Sequence, residues 1–200
     1  MNKLLISLLV TFGISGVAQA EGDAAAGKAN TAVCAACHSA DGNSAVPNFP
    51  KLAGQNEAYL LKQLKEIKAG SRQVVEMTGM LNGFSDQDLA NIAAFFASQK
   101  VQIGQTSQEL VEAGQQIYRA GVMDKGVAAC TACHSPNGTG NSSAGFPALS
   151  GQHAAYVEKQ LMAFRNGARD NDPNGMMRDI AAKLSDTEIK AVADYVQGLH

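Results

Sequence analysis

Most of what would narrow the function of this chain is scarce or missing. Only 17% of its 200 residues are charged, and no run or patch of lysine and arginine stands out. The phosphate-neutralising surface that nucleic-acid binding needs is therefore absent. No stretch of four or more residues alternates apolar and polar well enough to read as a strand, so the expected fold is all-α. Histidine and cysteine are rare, four of each. The one long apolar run, Leu4 to about Val17, is short and broken by Ser7, Gly13 and Gly16, which makes it a poor membrane span.

That run follows Asn2-Lys3 and ends in Ala18-Gln19-Ala20. The pattern is that of a secretory signal peptide, residues 1–20, with an A-x-A cleavage site; an uncleaved anchor is the alternative. The expected mature chain starts at Glu21. Its bacterial-looking leader puts it in the periplasm. Removing Lys3 leaves 15 basic residues (16 − 1) against 18 acidic ones, a net charge of −3. Neither half is a strongly charged docking module.

All four cysteines fall in two copies of one motif: Cys34-Ala35-Ala36-Cys37-His38 and Cys130-Thr131-Ala132-Cys133-His134. C-x-x-C-H is the attachment signature of c-type haem. On a helical turn residues i and i+3 share a face, so two thiols can bond the two vinyl groups along one side of a porphyrin. The histidine then lies beneath the ring as an axial ligand. A Cys-x-x-Cys disulfide or a four-thiolate zinc site would use the same cysteines. Neither explains a histidine at the same place twice, and the pairs lie 96 positions apart. Two covalently bound haem c groups are the expected cofactors.

The motifs belong to a longer repeat. Phe49 to Gln55 aligns with Phe146 to Gln152 at an offset of 97, and Tyr59, Gln63, Leu64, Gly70 and Arg72 pair with Tyr156, Gln160, Leu161, Gly167 and Arg169. Three extra residues within Asp170 to Gly175 raise the offset to 100, at which Ser85-Asp86 meets Ser185-Asp186. Two small domains follow, 21–100 and 109–200, joined by a polar linker, 101–108. Units of this size bury little apolar surface alone, and a covalent haem would supply the missing core. Helices are expected at about 23–32, 57–69 and 86–99, then 109–118, 154–166 and 186–197, with Gly70 as a C-cap and Ser85 and Ser185 as N-caps. Ser185 and Glu188 form a capping box. Cys130 follows Gly114 by 16 positions and Cys34 follows Gly27 by seven, so the second copy carries an insertion at about 120–128. It reads as an interdomain contact, a partner surface or a plain loop.

The second axial ligand comes from the repeat too. At the offset of 100, only Met77 and Met177 coincide, each eight residues before its capping serine, in a loop able to reach a distal haem face. Thioether ligation suits cytochromes c. Met80, Met123, Met162 and Met176 have no such mates and read as filler. Beyond the motif histidines only His153 and His200 remain, without counterparts in the first half. A carbonyl at the Pro50 or Pro147 step would accept the proximal imidazole proton, or these are ordinary turn prolines. Arg72, Arg169, Gln55 and Gln152 are candidate propionate partners, with a solvated arginine at a helix end as the alternative for the arginines.

Taken together, two C-x-x-C-H motifs, each followed by Phe-Pro-x-Leu-x-Gly-Gln, a methionine and a Ser-Asp helix start, resemble the bacterial dihaem cytochrome c4 family over nearly the whole mature chain. The resemblance implies two class I cytochrome c domains related by approximate twofold symmetry, with haem propionate edges facing each other. It also implies a periplasmic electron carrier, often at the membrane surface, serving respiratory chains that end in terminal oxidases. The expected activity is one-electron transfer between redox protein partners rather than catalysis. Two rivals stay open. A dihaem peroxidase would leave one haem without a matched ligand, and a cytochrome subunit of a dehydrogenase complex would share every motif seen here.

Overall fold

The computed structural model describes residues 22–200; the expected signal peptide, residues 1–20, lies outside them. Among the described residues nine α-helices form two similar groups. The first contains α1 (Ala24–Asn30), α2 (Ala32–His38), α3 (Glu57–Ala69) and α4 (Asp86–Ala97). The second contains α5 (Val111–Ala120), α6 (Thr131–His134), α7 (Ala154–Arg165), α8 (Met176–Ala182) and α9 (Asp186–Gln197). Among the described residues the only β pairings are isolated bridges, Val122 with Val127 and Asn141 with Phe146. The fold is all-α, with two tandem halves of similar plan.

In each half the first and last helices cross over a glycine. A Cβ on Gly27 would sit 1.9 Å from the Asn91 carbonyl oxygen, and one on Gly114 would sit 2.4 Å from that of Ala191. The absence of a side chain is what lets the two backbones approach. α3 and α7 then pack on α4 and α9. Leu60, Ile92, Ala93, Phe95 and Phe96 form the first core; Ile117, Tyr118, Leu161, Ile189, Val192 and Val196 belong to the second.

Helix ends follow local chemistry. α3 stops at Gly70, which takes φ 77°, ψ 2°, the left-handed conformation glycine adopts without strain. Ser85 and Ser185 both close capping boxes, with Asp88 and Glu188 as the reciprocal partners. The first half thus has a capping box too, with the shorter Asp88 where the second has Glu188. The segment before α9 departs from expectation. Residues 176–182 are helical rather than a loop, because the Asp172 carboxylate accepts from the Arg178 amide at 3.0 Å and pairs with its guanidinium at 2.8 Å.

The insertion folds onto its own half. Val122 and Val127 close a tight turn, Val127 is buried, and Lys125 pairs with Glu188 at 2.8 Å at the start of α9. Residues 101–108 carry no helix and are strapped to both halves: the Gln102 amide donates to the Asn43 side chain at 2.8 Å, and the Gly104 amide to the Gln197 carbonyl at 2.9 Å.

Candidate functional site

The two C-x-x-C-H segments sit on short helices, so each pair of cysteines and the following histidine come from about one turn. His38 and His134 are both buried. The Nδ1–H of each imidazole donates to a proline carbonyl, Pro50 for His38 and Pro147 for His134, at 2.9 Å in both cases. Of the two roles considered for these prolines, the carbonyl acceptor is the one observed. Fixing Nδ1 as the donor leaves Nε2 as the lone-pair nitrogen, the state an imidazole needs to bind a metal. Burial holds both histidines below the usual imidazole range, against the opposing pull of the proline carbonyls, and so favours the neutral ring.

No disulfide joins the cysteines of either motif. Burial raises Cys34 and pushes Cys130 up to about 11. A reactive dithiol needs the opposite shift, since the thiolate is the attacking species. Nor do the pairs converge on a shared ion: among the described residues no three His, Cys, Asp or Glu side chains gather as a metal site. The disulfide-exchange and zinc readings have no support in this geometry.

A cavity of about 650 Å³ runs through both halves, and His38, His134, all four cysteines, Met77 and Met177 line it. Its walls include Leu60, Leu64 and Phe96 on one side and Leu161, Phe164 and Val192 on the other. Paired thiols, a buried neutral imidazole and an apolar wall recur in each half. This donor set fits covalently attached haem and suits neither a hydrated ion nor a polar ligand. Met77 ends a 3-10 turn, Val75–Met77, whereas Met177 lies in the first turn of α8; both are partly buried. The unmatched methionines Met80, Met123 and Met176 are exposed.

The residues suggested for propionates line the cavity and also bond one another's halves. Gln55 bonds the backbone of Ala148 through both ends of its amide, at 2.8 and 2.7 Å. Gln152 does the same to Lys51, at 2.8 and 2.9 Å. Since residue 148 is the repeat mate of residue 51, one contact is made twice about a pseudo-twofold axis. Arg72 reaches Gln63 and Tyr156 at 2.8 and 3.0 Å, and Arg169 reaches Gln160 and Tyr59 at 2.8 and 2.9 Å. The four side chains therefore join the halves. The sequence showed that these positions repeat, but a repeat does not say which copy's backbone a side chain will meet.

Comparison with known proteins agrees with the geometry. The Cytochrome c family profile matches residues 24–100 and again 111–200. Cytochrome c4 of Azotobacter vinelandii is 60% identical over the full length of both chains. The crystal structure of reduced recombinant cytochrome c4 from Pseudomonas stutzeri superposes with a TM-score of 0.88 at 57% identity, covering 90% of this chain and all of that one. A more distant relative, the thiosulfate dehydrogenase electron acceptor of Stutzerimonas stutzeri, is 39% identical over 84% of this chain and 81% of its own length. The chain thus belongs to the cytochrome c4 family, electron carriers rather than enzymes, with two class I cytochrome c domains that each hold one covalent haem c.

Proposed function

We propose that this protein is a periplasmic carrier that takes single electrons from one redox protein and passes them towards a terminal oxidase. In this reading residues 1–20 are a cleaved signal peptide, residues 21–100 and 109–200 are the two haem domains, and residues 101–108 link them. Cys34 and Cys37 hold the first haem by thioether bonds, and Cys130 and Cys133 hold the second. His38 and His134 are the proximal ligands, Met77 and Met177 the distal ones. Haem iron, once bound, supplies the ferric/ferrous couple. The chain's own residues keep each imidazole neutral and oriented and keep water from the apolar walls, and His38 with Met77, and His134 with Met177, would hold the two irons and leave no open place for a substrate.

One observation carries the reading: in both halves a motif histidine is tied through Nδ1 to a proline carbonyl beside the same cavity that the repeat-matched methionine lines. No third histidine lines that cavity as an acid or base for peroxide, which disfavours the peroxidase alternative. A peripheral association with the membrane surface is part of this reading; among the described residues no helix is long and apolar enough to cross a membrane. Kinship to a thiosulfate dehydrogenase electron acceptor makes a dehydrogenase the second candidate donor class.

The test is a redox titration of the purified protein with haem quantification. Two haems per chain, two one-electron steps and a far-red sulfur-to-iron band of two-haem intensity are expected. A high-spin signal from one haem would overturn the carrier reading.

A further inference from the structure

Tyr118 does for the second half something that no side chain does for the first. It is fully buried, packs on Tyr195 with ring centroids 5.6 Å apart, and lines the cavity. Its hydroxyl donates to the Ser135 carbonyl at 2.7 Å and lies 3.5 Å from that of His134. Ser135 is the residue directly after the proximal histidine, and it holds φ 70°, ψ 156°. Residues with a side chain enter that region only at a cost of roughly 1–3 kcal/mol, so the surroundings must hold it there.

The first half has the same backbone feature with other support. Ser39 takes φ 64°, ψ 162°, and its carbonyl accepts only from the Gly42 amide, at 3.2 Å. Thr31 stands four residues after Gly27, as Tyr118 stands four after Gly114. The Thr31 hydroxyl is turned to the Lys28 carbonyl of its own helix, at 2.9 Å. Among the described residues no side chain donates to the carbonyl of His38 or Ser39. In the second half the Gly138 amide also reaches Ser135, at 3.1 Å, and two further bonds brace the segment: Gly140 amide to His134 carbonyl at 2.9 Å and Ser135 hydroxyl to Gly140 carbonyl at 2.7 Å.

Helix lengths explain the need. α2 has seven residues and begins two positions ahead of Cys34, so the first motif rests on its own helical turn. The insertion cuts α6 to the four residues Thr131–His134, too short for helical cooperativity to hold it. α5, at ten residues against seven for α1, carries Tyr118 under the segment that lost its turn.

We propose that the Tyr118 hydroxyl is a positioning group for His134 and that it makes the two haem sites inequivalent. The proposal rests on His134 as the proximal ligand. By drawing charge from a carbonyl next to that ligand, the hydroxyl disfavours the ferric state of the second haem, and it resists rotation of the histidine segment.

The test uses Tyr118→Phe in the full dihaem protein, which keeps the ring and removes the donor. The second haem is identified in the titration by the step that moves in Met177→His. In Tyr118→Phe the second midpoint falls while the first stays within error, and amide exchange at Gly138 and Gly140 becomes roughly fivefold faster, the scale of one lost buried hydrogen bond. Ile117→Val, a neighbouring core change without a polar atom, lowers the denaturation midpoint and leaves both potentials in place. Two bound haems with unmoved midpoints in Tyr118→Phe overturn the proposal. Fewer than two haems in the parent protein instead overturns the ligand reading beneath it. If Tyr118→Phe does not accumulate, exchange in the parent protein decides: Gly138 must exchange more slowly than Gly42, and equal rates sink the idea.

Discussion

Residues 78–83 and 178–183 occupy the same place in the two repeats and fold differently. The first run, Thr-Gly-Met-Leu-Asn-Gly, holds two glycines, with Gly79 at φ 78°, and forms only turns. The second, Arg-Asp-Ile-Ala-Ala-Lys, lies almost wholly in α8. Its Asp179 and Lys183 pair at 2.9 Å one turn apart, and Asp172 caps its start. Glycine costs about 1 kcal/mol per helical position against alanine, and an i,i+4 pair adds a few tenths. Small local terms of this kind, acting on six residues, decide whether the segment after the repeat-matched methionine is a turn or a helix. The haem-binding plan is therefore duplicated while its mechanical support is not.

The sharpest way to break the comparison is at the methionines. Met77→His and Met177→His should each lower the potential of one haem only, by tenths of a volt within the ~0.8 V that axial ligands command. Redox titration reads this, and a variant that moves neither midpoint has the wrong ligand. Next come the helix crossings. Gly27→Ala and Gly114→Ala force a Cβ onto a facing backbone carbonyl, and each should cost about 3 kcal/mol in denaturant unfolding. Gly27 has the shorter approach, so equal or smaller loss there would mean that the first crossing relaxes more easily.

The shared interface should show no preference for either half. Arg72→Met and Arg169→Met each remove bonds to a tyrosine and to two glutamines, Gln63 and Gln160, which the two networks share. Each change should cost about 2 kcal/mol, with a non-additive double variant in a mutant cycle. Simple additivity would mean that the two arginines act separately. Ser85→Ala and Ser185→Ala should each cost about 1 kcal/mol, read from thermal unfolding.

The smallest effect concerns acid. Hydrogen bonds from Lys125, then from the Ser185 amide, hold Glu188 at about 2. A depressed carboxyl contributes stability above its ordinary value near ~4.3 and loses it as pH falls towards the folded value. Lys125→Ala lifts Glu188 back towards the ordinary range, so the second half should begin to unfold at higher pH in an acid titration. Asp88 in the first half is lowered by the Ser85 hydroxyl and amide and bonds Asn30 rather than a lysine. The first half's acid midpoint should stay where it is.

Much of this was readable in the chain itself, because the deciding forces are local. α3 and α9 run over the expected residues since a glycine C-cap and a Ser-x-x-Glu box act within one turn. The two motifs announce their cofactor because thioether attachment needs neighbours along the chain. Where the sequence was silent, the partner lay far away in it: Gln55 and Gln152 line the cavity and each also bonds the other repeat's backbone.

Sequence alone thus determined two haem sites, their helical setting and one matched methionine apiece. Only the tertiary structure decided how the halves lock together, which carbonyl orients each imidazole, and that Tyr118 reaches the segment after His134. Those bonds join groups from 12 to 110 positions apart. A side chain's identity tells what it can donate or accept, and folding alone tells what it will meet.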